Sequence, residues 1–192
     1  MLSFDSIELI NFGPYKGRQK IEFPDESGVS VVYGENMRGK TSLLNGIRWA
    51  LFGEILGRGE REISPSDYIN WESQEEGNSS FSVVLEFSFE GNEYELTREF
   101  ENVGPGADRG KEKMYLKENA TVLGPDAAKN KLKDVLPKQV SRFFLFDGEL
   151  LQQYQDLLSD QNAMGDQIKR AIERILGLPI LKEGRSHLRV MA

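Results

Sequence analysis

Polar and apolar residues alternate most regularly in the middle of the chain. Residues 80–90 place apolar side chains at every second position, and residues 94–100 repeat the alternation after Gly91-Asn92. A strand that buries one face has this period of two, and a glycine–asparagine pair suits a tight turn. The pattern therefore predicts an antiparallel hairpin.

Shorter apolar runs predict further strands on both sides of this hairpin. Residues 2–12 and 19–23 precede it, separated by a turn at Gly13-Pro14, and residues 113–117 and 121–123 follow it. Two runs are mostly apolar without alternation, as expected of strands buried on both faces. These runs cover residues 29–33 and 142–147.

Helical spacing follows the first of those two runs. Apolar residues at a spacing of three to four predict a helix that ends near Phe52, with Gly53 as its cap. A lysine-rich helix is predicted for residues 125–136. From residue 148 onward the chain is predicted to be helical, with a break at Gly177-Leu178-Pro179 and a last helix from Ile180.

A glycine-rich segment joins the run at residues 29–33 to the first predicted helix. It has the phosphate-loop spacing G-x-x-x-x-G-K-T, from Gly34 to Thr41. Glycines let the backbone N–H groups surround an anion, and the helix that follows adds the positive end of its dipole. The pattern predicts that Lys40 reaches the β- and γ-phosphates of ATP and that the Thr41 hydroxyl binds Mg²⁺.

The predicted nucleotide site comprises the whole loop and the start of the helix. Its cofactor-binding residues are Gly34, Glu35, Asn36, Met37, Arg38, Gly39, Lys40, Thr41 and Ser42. Lys40 is the predicted catalytic residue of this segment. The alternative is a glycine-rich turn that caps a helix and binds nothing.

Composition and charge narrow the class of protein. The chain has 192 residues, a net charge of −7 and no cysteine, which excludes disulfides and thiolate metal sites. The N-terminus lacks the pattern of a signal peptide, and no apolar run is long enough to cross a membrane, so a cytoplasmic location is expected. Acidic residues are in excess over residues 54–101 and basic residues over residues 109–142. Any nucleic-acid binding is therefore expected to be local.

Several short motifs resemble one family in both order and spacing. They are Leu9-x-Asn11-Phe12-Gly13-Pro14-Tyr15, the phosphate loop, Trp49-Ala50-Leu51-Phe52-Gly53, Tyr94-x-Leu96-x-Arg98 and Ile175-Leu176-Gly177-Leu178. The chain resembles the N-terminal half of an SMC-like ATPase head, the ABC-type group that includes RecF, RecN and SbcC. Residues 143–149 look most like DndD, the ATPase associated with DNA phosphorothioation, and its relatives in phage defence.

The resemblance implies a fold and a domain division. The fold is an α/β P-loop NTPase half-head of the ABC type, with an antiparallel β-subdomain and a helical region that leads to a coiled coil. Residues 1–177 would form the N-terminal lobe of the head and residues 178–192 the start of the coiled-coil arm. The signature motif and a second acidic strand of the family are absent, which suggests a fragment or one half of a split head.

The resemblance also implies a function and its partners. Heads of this family bind ATP and Mg²⁺, dimerise through ATP, and couple hydrolysis to DNA binding or processing in repair or anti-phage defence. The implied partners are the C-terminal half of the same head, a second copy, DNA, and nuclease or defence proteins. Where the family often has a phosphate-contacting arginine this chain has Gly13, which leaves Lys16 or Arg18 as substitutes.

Asp147 is the second predicted catalytic and metal-binding residue, and its role has several interpretations. Four apolar residues that end in an acid resemble a Walker B strand, whose aspartate holds Mg²⁺. By resemblance, the segment falls where these ATPases have the Q-loop, with Asp147 in place of the usual glutamine. It is also placed to cap the helix that is predicted to start at Gly148.

Two functions of other classes compete with the ATPase head. One is a P-loop nucleotide switch or kinase that is complete in this chain. The other is a head fragment that only binds a partner and does not hydrolyse nucleotide. Lysines between residues 109 and 138 are candidate contacts for DNA phosphates, or an ordinary solvated face. The pattern assigns Arg98 to the polar side of its strand, with either a structural role or a place beside the nucleotide.

Overall fold

A computed structural model describes residues 2–24, 31–35, 39–57, 61–103 and 110–138, together with Leu145. The chain divides into two compact units, Met1–Val135 and Leu136–Ala192. Most described residues belong to the first unit, and the fold below is that of this unit. The predicted boundary between residues 177 and 178, the coiled coil and the C-terminal helices lie outside the described residues.

Six strands form one antiparallel sheet within the described part of the chain. In chain order they are β1 (Leu2–Phe12), β2 (Tyr15–Glu22), β3 (Ser80–Phe89), β4 (Asn92–Asn102), β5 (Gly110–Glu118) and β6 (Thr121–Val122). Their order across the sheet is β2-β1-β3-β4-β5-β6. The strands that the alternation predicts in this region are therefore confirmed, several of them with wider bounds.

Three helices and one 3₁₀ turn accompany the sheet in the described residues. They are α1 (Lys40–Phe52), the 3₁₀ turn (Pro65–Tyr68), α2 (Trp71–Glu75) and α3 (Pro125–Val135). The sequence predicts α1 and α3 but not the 3₁₀ turn or α2. None of the described helices has both the length and the apolar character needed to cross a bilayer.

Helix α1 packs directly on the inner face of the sheet. A Cβ added at Gly46 would lie 2.6 Å from Leu9 Cδ2 and 3.1 Å from Ile7 Cδ1, so the helix backbone touches β1 there. Farther along, the Trp49 ring meets the Phe81 ring edge-on at 5.1 Å, and Phe81 stacks on Phe100 at 5.5 Å. This apolar contact fixes the position of the helix that begins at the phosphate loop.

The strand predicted for residues 29–33 is not observed over its described residues. Residues 31–35 are described and form no strand, and Val31, Val32 and Tyr33 are 61%, 53% and 88% exposed. Valine and tyrosine favour a strand only where neighbouring strands supply hydrogen bonds and packing. Within the described residues no strand pairs with this run. Its high β-propensity alone therefore does not make it a strand.

The apolar run at residues 142–147 is described at one residue only. Leu145 is buried, as predicted, but it lies in a bend. The other residues of that run, including Asp147, lie outside the described part of the chain.

Candidate functional site

The phosphate loop ends at a glycine that the surrounding structure requires. Gly39 has a φ of +95°, and a Cβ there would lie 3.1 Å from both Pro14 Cγ and the Tyr15 hydroxyl oxygen. A larger residue would be strained by the left-handed backbone and by this close approach. The Gly39 carbonyl then accepts the first helical hydrogen bond, from Leu43 N–H at 2.9 Å.

The N-terminus of α1 is open to an anion. Within the described residues no side chain caps it, and its first turn contains no acidic residue. The first N–H groups of a helix have no partner within the helix, and the helix dipole adds positive potential at the same place. The exposed side chains of Lys40 and Thr41 lie in this first turn. The residues present therefore fit a phosphate group and, through the Thr41 hydroxyl, its Mg²⁺.

Lys40 reaches back across the loop that precedes it. Its ammonium group donates a hydrogen bond to the Gly34 carbonyl oxygen and another to the Glu35 carbonyl oxygen at 2.8 Å. The positive charge is thus placed over the loop, where a bound phosphate would replace these carbonyls as its partner. Asn36, Met37 and Arg38 lie outside the described residues, and their predicted role stays a prediction.

Ser42 is connected to a polar network that the sequence did not reveal. The Tyr68 hydroxyl donates to Ser42 Oγ at 2.9 Å and accepts from Asn45 Nδ2 at 3.4 Å. Buried Asn45 also donates to the Leu56 carbonyl at 2.7 Å and accepts from the Leu56 N–H at 3.2 Å. The start of α1 is therefore tied to the loop that follows the helix and to the 3₁₀ turn.

Tyr15 forms a second contact with the loop. Its hydroxyl donates to the Gly39 carbonyl at 3.1 Å. Burial, and secondarily the nearby Tyr68, raise the pKa of Tyr15. The hydroxyl therefore stays protonated at neutral pH and remains a donor.

Arg98 lies at the other end of α1, which corrects its assignment to the polar side of β4. The strand buries Tyr94, Leu96, Arg98 and Phe100 on one face. Arg98 donates from Nε to the Ala50 carbonyl at 3.0 Å and from Nη2 to the Leu51 carbonyl at 3.4 Å, and it pairs with Glu112. It satisfies the last carbonyls of α1 and does not face the nucleotide end of the helix.

The sequence and the fold match known proteins. Residues 6–179 match a protein-family profile described as an AAA domain. The chain belongs to this AAA domain family. Together with the relatives and the solved structure described next, this match confirms the predicted likeness to SMC, RecF and SbcC heads at the level of the domain. The narrower likeness to DndD stays a prediction.

Curated relatives align with this AAA domain over part of their length. The SbcC component of the nuclease SbcCD from Vibrio cholerae is 30% identical over 68% of the chain and 12% of that protein. Arcadin-4 of Pyrobaculum calidifontis is 29% identical over 71% of the chain and 15% of that protein. RecF of Bacillus cereus is 24% identical over 81% of the chain and 42% of that protein. The AAA domain thus spans less than half the length of each of these relatives.

A solved structure shares the fold of the AAA domain. It belongs to work on the ATP-driven dimerisation and DNA-stimulated activation of SMC ATPases. It aligns with a TM-score of 0.50, over 80% of this chain and 97% of that chain, at 16% identity. The antiparallel sheet with α1 packed on it is therefore a fold that the AAA domain shares with this SMC ATPase structure.

The two proposed substitutes for the family's arginine do not lie on the loop of this AAA domain. Lys16 Nζ pairs with Glu76 at 2.5 Å and with Glu72 at 3.3 Å, and Arg18 pairs with Glu8 at 3.3 Å. The charges of both residues are therefore directed at glutamates, and their role as substitutes for the arginine stays a prediction.

The lysines of β5 are opposed by glutamates of β4. In the register of the two strands, Glu101 faces Lys111, Glu99 faces Lys113 and Glu95 faces Lys117. The last pair is closed, with Lys117 Nζ 2.6 Å from Glu95. These cross-strand pairs offset the positive charge, so β5 is a poor candidate for binding DNA phosphates.

Helix α3 carries the better basic candidates. Lys131 lies 3.5 Å from Glu118 and over the Tyr94 ring. Lys129 and Lys133 are exposed and form no ion pair with any residue in the described ranges. These two residues, which we call the α3 lysine pair, keep their charge available.

Proposed function

We propose that this chain binds MgATP through residues 34–42 and forms part of an ATP-hydrolysing head. In the proposal, the head is completed by a C-terminal half and by ATP-dependent dimerisation. Hydrolysis is coupled to DNA binding or processing, in repair or in anti-phage defence of the DndD kind. The observation that carries the proposal is the uncapped start of α1, with the Lys40 ammonium held over the loop carbonyls.

Each described residue of the site has a part in the proposed binding. The first N–H groups of α1 and the Lys40 ammonium hold the phosphates, and the Thr41 hydroxyl holds Mg²⁺. In the proposed hydrolysis, water would attack the γ-phosphorus of ATP, ADP would leave, and inorganic phosphate would form. Gly39 lets the backbone approach the phosphates, since its backbone angle admits few other residues.

Support for the DNA part comes from the relatives and from the α3 lysine pair. Two relatives are named for work on nucleic acid, a component of a nuclease and a DNA replication and repair protein. The SMC structure comes from work on activation by DNA. Further partners in the proposal are nuclease or defence proteins, and its location is the cytoplasm.

The test of this function is ATP turnover by the full-length protein with and without duplex DNA. We expect DNA to stimulate turnover and to bind independently of base sequence, with an affinity that falls steeply as salt rises. Reversing the α3 lysine pair with Lys129→Glu and Lys133→Glu should flatten the slope of log affinity against log salt by about 2, roughly 0.9 for each lost phosphate contact.

Lys111→Glu with Lys113→Glu is the matched control, because these lysines already face glutamates. It should change the slope less than the α3 double variant. An unchanged slope in the α3 variant would show that these two lysines do not contact DNA and belong to an ordinary solvated face.

Asp147 gives a prediction that rests on the sequence alone. In the Q-loop or the Walker B interpretation its carboxylate acts on the metal or the attacking water. Asp147→Asn keeps the shape and removes the charge. We expect ATP binding to survive while turnover of the full-length protein falls about ten- to a hundredfold, or about 1.4–2.7 kcal/mol.

Steady-state kinetics of Asp147→Asn beside Asp147→Ala decide between the roles. Asp126→Asn, in the first turn of α3, is the control for removing an aspartate that only borders a helix start. Turnover close to wild type in both Asp147 variants would reduce this residue to a helix cap.

A further inference from the structure

Two tyrosines hold the phosphate site from outside it. Tyr15 is the first residue of β2, directly after the turn at Gly13-Pro14, and Tyr68 is the last residue of the 3₁₀ turn. Tyr15 holds the Gly39 carbonyl, and Tyr68 holds the Ser42 hydroxyl. Lys40 and Thr41, whose side chains face the ligand in the proposed function, lie between these two attachment points.

The two tyrosines share one support. A Cβ added at Gly13 would lie 2.8 Å from the Tyr68 ring, so this ring packs directly on the turn that precedes Tyr15. The Gly13 N–H donates to the Tyr68 carbonyl at 2.7 Å, and Asn70 Nδ2 donates to the Gly13 carbonyl at 2.8 Å. The Phe12 ring packs on the Tyr68 ring at 4.7 Å. The Tyr68 ring is therefore held against the turn that precedes Tyr15.

The Tyr68 hydroxyl has a defined direction. It accepts from Asn45 Nδ2, and buried Asn45 is itself fixed by both backbone groups of Leu56. A hydroxyl has one proton to donate, and that of Tyr68 goes to Ser42 Oγ. Ser42 keeps its own proton and one further acceptor site, and its rotamer is fixed by the contact.

We propose that Tyr68 and Tyr15 are positioning residues for MgATP binding, which hold the end of the phosphate loop and the first turn of α1 in a binding-competent geometry. The inference rests on the proposed function and deepens it. A site held in place before binding loses less conformational entropy when the ligand arrives. Removing either tyrosine hydroxyl should therefore weaken binding, although neither hydroxyl contacts the ligand.

The test is MgATP titration of the full-length protein carrying Tyr68→Phe. This variant keeps the ring that packs on Gly13 and deletes only the hydroxyl. We expect MgATP binding to weaken about three- to tenfold, the effect of losing the hydrogen bond that orients Ser42. Tyr15→Phe is a second variant and should weaken binding by a similar factor.

Tyr94→Phe is the matched control. It also deletes a hydroxyl that donates a hydrogen bond, to Glu118 at 2.5 Å, but it does so away from the loop. It should leave MgATP affinity unchanged. Tyr68→Phe loses the bonds to Ser42 and from Asn45, and Tyr94→Phe loses the bonds with Glu118 and Lys131. Their thermal unfolding midpoints should therefore shift by similar amounts, which separates positioning from stability.

A double-variant cycle identifies the route of the effect. Tyr68→Phe combined with Ser42→Ala should bind MgATP no more weakly than Ser42→Ala alone, because the Tyr68 proton then has no hydroxyl to orient. Equal affinity in wild type, Tyr68→Phe and Tyr15→Phe would overturn the inference, as would independent, multiplying effects of Tyr68→Phe and Ser42→Ala. If wild type itself fails to bind MgATP, or Lys40→Ala binds it equally well, the proposed function fails instead.

Discussion

Lys40→Ala should abolish measurable MgATP binding. The variant removes the one side-chain charge that the described structure places over the loop, on the carbonyls of Gly34 and Glu35. Charge-assisted hydrogen bonds contribute about 1.5–3 kcal/mol each, so losing contacts to two phosphates should weaken binding at least about a hundredfold. Isothermal titration calorimetry of the full-length protein measures this directly.

The control for Lys40→Ala is the same substitution at a lysine outside the loop that forms an ion pair. Lys20→Ala removes an equal charge from β2, where Lys20 Nζ lies 3.1 Å from Glu86 on the sheet. It should leave MgATP affinity unchanged, because it is not part of the loop. Equal affinities in wild type and Lys40→Ala would contradict the nucleotide site itself.

Arg98→Met should lower the free energy of unfolding more than most single substitutions. The variant leaves the Ala50 and Leu51 carbonyls without their donor, and Glu112 without its cation. Glu112 is partly exposed, so water solvates part of its charge, and the larger loss is at the two carbonyls. We expect a decrease of about 2–4 kcal/mol, measured by urea denaturation.

Arg18→Met is the matched control for this prediction. Arg18 is 72% exposed and pairs with Glu8 at 3.3 Å. Exposed pairs of this kind contribute about 0–1 kcal/mol. A loss in Arg98→Met no greater than in Arg18→Met would show that the C-terminal end of α1 does not depend on Arg98.

Much of the fold could be predicted because its patterns are local. The hairpin of β3 and β4 and the helix α1 follow from periods that short segments display by themselves. The prediction of a strand is wrong for residues 31–33, the described part of that run, because a buried strand depends on neighbours that the segment does not contain. The 3₁₀ turn and α2 escape prediction because Pro65-Ser66-Asp67 has the composition of a loop and α2 is too short for an apolar face.

The residues of the site likewise divide into those that the sequence can identify and those that it cannot. The loop and Lys40 form a contiguous motif with a physical reason for each position, so sequence alone could identify them. The assignment of Arg98 to the polar side is wrong even on the sequence pattern, since Arg98 has the same parity as the apolar residues of β4, which points to its burial. Tyr68 carries none, because its bond to Ser42 joins residues 26 positions apart in the chain.

The order of the strands also dictates when the site can form as the chain folds. Strand β1 pairs with β3, and Ile10 lies opposite Ser82. The phosphate loop, α1 and Tyr68 all lie in the segment that this pairing closes. Closing so long a segment has an entropic cost that adjacent hairpins avoid, and contacts distant in sequence form slowly. Residues 34–42 are contiguous in the chain, but the β1 strand on which α1 packs joins β3 only through this pairing, which we expect to be one of the slower steps of folding.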